Sequence, residues 1–174
     1  QTFGGSDILI NNASAMDNHV AASEARLPDM RVIPGQYSAS DHTVTYNAYS
    51  SPEGEPVLVD EHRDLGDYGT SDVKLYYRNG QLLRFAEDAK RVNYGGSNDY
   101  QPLQYTLKLD FAKGRLTSGS KTVNGNVSEP DEPEITGVLA QIKGAARRID
   151  ERYSAAARES DSATGTTSGR WHAT

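Results

Sequence analysis

The chain has 174 residues, 36% of them apolar, a net charge of −6 and no cysteine. That composition suits one domain with a modest core and generous loops, and its acidity argues against a nucleic-acid polyanion as partner. Disulfides, zinc–thiolate sites, iron–sulfur clusters and thiol nucleophiles are excluded, and no apolar run approaches the roughly 20 residues of a membrane helix.

Residues 1–36 read as a loosely structured segment. Asp7 to Ile10 suggests a short strand, and Ala15 to Leu27 is mildly helical, with Met16, Val20 and Leu27 on one face and Pro28 as the stop. Pro34-Gly35 reads as a turn. The stretch Asp7-Ile8-Leu9-Ile10-Asn11-Asn12-Ala13 resembles the Asn-Asn-Ala segment of short-chain dehydrogenases. Neither the glycine-rich dinucleotide turn before it nor a Tyr-x-x-x-Lys pair after it is present, so the resemblance carries no activity.

From residue 37 to 159 the chain reads as a single α+β domain. Thr43 to Ser50 and Pro56 to His62 are runs of strand formers separated by turn chemistry. The next two hairpins carry one motif twice, 34 residues apart: Tyr77-Arg78-Asn79-Gly80-Gln81-Leu82 and Phe111-Ala112-Lys113-Gly114-Arg115-Leu116. Asn-Gly between β segments predicts a type I′ turn, because both central residues need positive φ. A two-residue loop there sets Tyr77 opposite Leu82 and Tyr76 opposite Leu83. In Gln104 to Phe111, apolar Tyr105, Leu107, Leu109 and Phe111 alternate with Thr106, Lys108 and Asp110, the pattern of a half-buried antiparallel strand. Its partner runs from Arg115 to about Val123.

A helix from about Glu132 to Glu159 follows. Asp131 with Glu134 three residues on forms a capping-box pattern, and Pro133 suits the first turn. Ile135, Val138, Leu139, Ile142, Ala146, Ile149, Tyr153 and Ala156 then make one apolar stripe. The expected architecture is an antiparallel β-meander of about five to seven strands packed against this helix. Residues 160–174 form a flexible Ser/Thr/Gly/Ala tail that ends near Trp171, the only tryptophan.

The order of hairpin sheet, long helix and terminal Gly169-Arg170-Trp171 resembles small periplasmic lipoproteins of Gram-negative bacteria. The cysteine that bears the lipid in such proteins is absent here. Tyr76 to Leu82 is also similar to the Tyr-Tyr-x-Asn-Gly-x-Leu unit of hairpin-repeat proteins, though two copies make no array. The resemblance implies a periplasmic or extracellular location. A chain opening at Gln1, with ten tyrosines against three phenylalanines, suits an exported β protein too.

Three function classes follow. The first is a non-enzymatic binding or accessory protein for a protein partner or cell-envelope component, with no cofactor or metal. Its candidate contact residues are Tyr76, Tyr94, Tyr100 and Tyr105 as an aromatic surface, Lys143 and Arg147 on the basic helix face, and Trp171. The second is a structural subunit whose termini order on assembly. The third is a metal-assisted hydrolase using Asp60, His62 and Asp64, which alternation places on one strand face.

Overall fold

The computed structural model describes residues 5–94 and 100–164. The chain falls into two units, Gln1–Pro130 and Asp131–Thr174. The first contains helix α1 (Gly5–Ala25), a single 3-10 turn at Leu27–Asp29, and eight strands. These are β1 (Arg31–Ser38), β2 (Thr43–Ser50), β3 (Pro56–Asp64), β4 (Gly69–Arg78), β5 (Gln81–Tyr94), β6 (Tyr100–Ala112), β7 (Arg115–Val123) and β8 (Asn126–Ser128). Each pairs antiparallel with the next in chain order, giving one eight-stranded meander. The second unit contains helix α2 (Glu132–Thr164).

The strand count exceeds the five to seven expected, and the additions lie at the two edges. Pro34-Gly35 sits inside β1, opposite Asn47 and Tyr46, instead of forming a turn. An edge strand tolerates proline because one side of its backbone has no ladder partner. Gly35 is required by packing: a Cβ there would collide with the Tyr46 ring. The last strand, β8, follows Asn124-Gly125, a third turn with φ of 48° and 83° and a signal as good as Asn79-Gly80. Within the N-terminal 36 residues, expected to be loose, the described ones thus form α1, the 3-10 turn and most of β1. Asp7 to Ile10 belongs to the helix, since so short an apolar run cannot distinguish helix from strand.

Both copies of the aromatic-x-x-Gly-x-Leu motif build the same object. Asn79 and Gly80 have φ of 52° and 71°, and Lys113 and Gly114 have 51° and 74°, the positive values of a type I′ turn. Tyr77 lies opposite Leu82 and Phe111 opposite Leu116. One step further in, each ladder slips. Tyr76 pairs with Arg84 and Asp110 with Ser118, so Leu83 and Thr117 are extra residues in matching β-bulges. The expected pairing of Tyr76 with Leu83 is therefore corrected by one residue. Turn identity sets the first two pairs, and the bulge sets the rest.

The pleat separates two faces. One carries the row Ala48, Val59, Leu75, Phe85, Leu109 and Gly119, directly paired across β2 to β7, and every side chain in it is buried. Pro130 lies against Gly119 at the β7 end of this row, where the missing Cβ lets it and Leu109 approach the backbone. The same face holds buried Glu61, Arg63 and Glu87, matched internally. Arg63 Nη2 lies 2.6 Å from Glu61 Oε2, while Ser71 Oγ and Arg91 Nη2 each donate to Glu87 Oε1 at 2.7 Å. Arg91 also stacks 4.8 Å from the Tyr105 ring centre.

Gly69, at the start of β4, has φ of 110°, and a Cβ there would run into the Lys90 carbonyl. Gly125 has φ of 83° but open space around it. Gly69→Ala should therefore cost about 3 kcal/mol or more, and Gly125→Ala only about 1 kcal/mol. Urea denaturation of the two variants measures the difference; equal losses would place the Gly69 backbone elsewhere.

At α2 the capping box forms as expected. Glu134 N–H donates to Asp131 Oδ1 and Asp131 N–H to Glu134 Oε2, both at 2.9 Å. The helix runs to Thr164, five residues beyond the expected end, and no glycine or proline lies between Ala145 and Thr164 to stop it.

Candidate functional site

The other face of the sheet is polar, and α1 sits on it. Asp17 and Glu24 are two helical turns apart and so lie on one side of α1. Each takes a cation from an adjacent strand. Glu24 Oε1 accepts from Lys74 Nζ at 2.8 Å and from the Tyr76 hydroxyl at 2.7 Å, both on β4. These two hydrogen bonds, Lys74 first, hold the Glu24 carboxyl below its usual range. Burial, reinforced by Glu24, pushes the Tyr76 phenol well above its usual value, so the hydroxyl remains a donor.

Asp17 meets Arg84 of β5. The buried Arg84 forms a two-bond fork with Asp110 of β6, Nε to Oδ1 at 2.6 Å and Nη2 to Oδ2 at 3.0 Å. Its remaining Nη1 reaches Asp17 Oδ1 at 2.6 Å. Burial works to lower the Arg84 pKa, but Asp110 and Asp17 outweigh it, and the guanidinium stays charged. The hydrogen bond from Arg84 in turn lowers the Asp17 pKa.

Beside this network lies a cavity of about 520 Å³ between α1 and the bulged ends of the two hairpins. Met16 and His19 of α1 form one wall, and Leu83, Phe111, Thr117 and Arg78 contribute to the other. Both bulge residues, Leu83 and Thr117, line it, so the irregularity in each ladder faces the space beneath the helix. The lining is mainly apolar with a few polar atoms, as in ligand pockets generally. His19 Nε2 is buried here without a hydrogen-bond partner among the described residues. Such an atom loses water and gains nothing, a cost of about 1–3 kcal/mol that buried polar groups seldom bear.

The residues singled out in the sequence scatter. Tyr76 and Tyr105 are on opposite faces: Tyr105 shares its row with Ala89 and Ser71, and Ser71 is five residues from Tyr76 on β4. Both rings are buried, Tyr76 beneath Glu24 and Tyr105 beneath Arg91. These two cannot belong to one exposed aromatic surface. Tyr94 and Tyr100 are paired at the far end of β5 and β6. Lys143 and Arg147 are exposed on α2, where Arg147 lies 3.9 Å from Glu151. Trp171 lies outside the described residues.

Asp60, His62 and Asp64 do share one face of β3, as alternation requires, but each has its own partner. His62 Nδ1 lies 2.6 Å from Asp72 Oδ1, and Asp64 Oδ1 accepts from the Gly66 N–H at 2.9 Å. Asp60 stands opposite Lys74 and Asn47. Among the described residues no group of three or more His, Asp or Glu side chains is placed to hold a metal ion. The intervening Glu61 and Arg63 are buried on the opposite face, so half of this charged run is interior. Burial raises the Asp60 pKa, with Lys74 opposing and Asp72 and Glu24 adding to it.

A carboxyl whose folded pKa exceeds its unfolded value weakens the fold once it ionises, and protonation relieves that penalty. Asp60→Asn should therefore raise the Tm at pH 7. The gain should shrink to nothing as pH falls below the ordinary carboxylate range, where Asp60 is neutral in both states. A Tm gain that persists in acid would assign the effect to something other than ionisation.

Asp17, His19, Glu24, Leu83, Arg84 and Asp110 did not stand out in the sequence. The seven-residue spacing of Asp17 and Glu24 is a helix-face signal, but it names no partner. Comparison of the chain with protein-family models, curated proteins and solved structures gave no match. Among the described residues no helix is long and apolar enough to cross a membrane.

Proposed function

We propose that the protein is a non-enzymatic, exported binding protein that engages a cell-envelope component, and that the cavity beneath α1 is its binding site. The observation that carries this reading is a preformed space of about 520 Å³ bearing a buried imidazole nitrogen with no partner. Cavities of this size and lining bury most of a small ligand. The supports are built in. Arg84, Asp110 and Asp17 pin α1 to the sheet on one side, and Glu24, Lys74 and Tyr76 pin it at the other end, so the pocket does not depend on ligand to form.

The test is NMR on the uniformly labelled chain titrated with an envelope lipid and glycan extract. Shifts should cluster at Met16, His19, Leu83 and Phe111. Met16→Trp, which fills the cavity from the half-buried wall of α1, should abolish them and leave the Tm within a few degrees of wild type. Shifts confined to other surfaces, or a Met16→Trp variant that still responds, would sink this reading.

A further inference from the structure

We infer that the cavity beneath α1 takes an apolar molecule bearing a carboxylate, held by His19 and Arg78. This rests on the reading of that cavity as the binding site and adds the chemistry of its occupant. Three observations converge. His19 Nε2 is buried at the cavity wall with no hydrogen-bond partner, so an occupant that satisfies it recovers the cost of its desolvation. A carboxylate oxygen accepts from an imidazole N–H and brings a negative charge with it.

Arg78 is the one arginine or lysine among the described lining residues, and it forms no ion pair among the described residues. It stands at the end of β4, next to the type I′ turn, with its side chain exposed at the rim. A guanidinium in that position suits a carboxylate by its planar fork of donors.

The acidic groups nearby are already engaged. Asp110 also lines the cavity, but the Arg84 fork takes both its oxygens, and Ser118 Oγ lies 3.4 Å from Oδ2. Asp17 takes the third Arg84 donor, and Lys108 is close enough to act on its charge. Both carboxylates are thus turned toward Arg84, while Arg78 is left to face the occupant. Met16, Leu83 and Phe111 supply the surface for the apolar part, with Met16 able to adapt to its shape.

Three probes that share a ten-carbon tail separate the possibilities: decanoate, decanol and decyltrimethylammonium, each below its aggregation concentration. Calorimetry gives the affinities and NMR of the labelled full chain gives the location. Decanoate should bind about tenfold tighter than decanol, the usual worth of a charge-assisted hydrogen bond, and the cation should bind most weakly. Arg78→Gln, at an exposed position, should weaken decanoate by about threefold or more, toward the level of decanol, and leave decanol unchanged. The His19 ring nitrogens should shift with decanoate. Equal affinity for all three probes, or a decanoate affinity unmoved by Arg78→Gln, overturns the carboxylate assignment and leaves the cavity as the site. No shift at Met16, His19 or Leu83 with any probe overturns both.

Discussion

Leu109→Asp abolishes the cooperative unfolding transition of the sheet. Leu109 is fully buried on β6, paired with Phe85 on one side and with Gly119 on the other, and Pro130 approaches the same glycine. Losing its burial alone costs about 1.5–3 kcal/mol. An aspartate in its place must either enter ionised without a partner or take up a proton, which adds several kcal/mol more. The total reaches the roughly 5–15 kcal/mol that holds a domain together. Lys108→Gln, one residue away and exposed on the other face, should melt like the wild type. Circular dichroism melts of the pair decide the matter. A soluble Leu109→Asp protein with a sharp transition would mean that β6 does not face the core as described.

Arg84→Met should cost about 3–5 kcal/mol, because it strands Asp110 as a buried charge. The loss belongs mainly to the stranded carboxylate, so the double variant Arg84→Met/Asp110→Leu should recover most of it. Asp17→Asn should cost less than about 1 kcal/mol, since that carboxylate is 59% exposed and its attraction to Arg84 is screened. Urea denaturation at pH 7 orders the three variants. A double variant no more stable than Arg84→Met would show that the fork is worth more than the desolvation it offsets. The Asp17 contribution has a defined pH window. Its folded pKa is lowered, so the stabilisation is present above the ordinary aspartate value and is lost as pH falls through the folded one.

The hairpins were legible because their causes are local. Asn79-Gly80 and Lys113-Gly114 adopt the positive φ values that a type I′ turn demands, and no distant residue is needed to choose them. The alternation from Tyr105 to Phe111 likewise assigned a buried face to β6. Asn124-Gly125 carries the same local signal, and it turns the chain from β7 into β8. Other features could not be read so early. Pro34-Gly35 reads as a turn in isolation, and it becomes strand only because Tyr46 of the neighbouring strand covers the glycine. The run from Asp60 to Asp64 is one charged patch in the sequence, and the pleat puts buried Glu61 and Arg63 on one face and Asp60, His62 and Asp64 on the other.

The candidate site depended on tertiary structure almost entirely. Tyr76 looked like part of a surface, and it lies beneath Glu24, 52 residues away in the chain. The cavity exists because a helix and two bulges meet, and a bulge leaves no mark in composition: Leu83 and Thr117 could each have been ordinary ladder residues. Sequence by itself determined the turns, the strand periods and the α2 cap, each set by backbone sterics and hydrogen bonds within a few residues. Tertiary structure alone decided which face α1 covers, which charges are buried together and where a ligand-sized space remains. Those outcomes are sums over residues that meet only when the chain is folded.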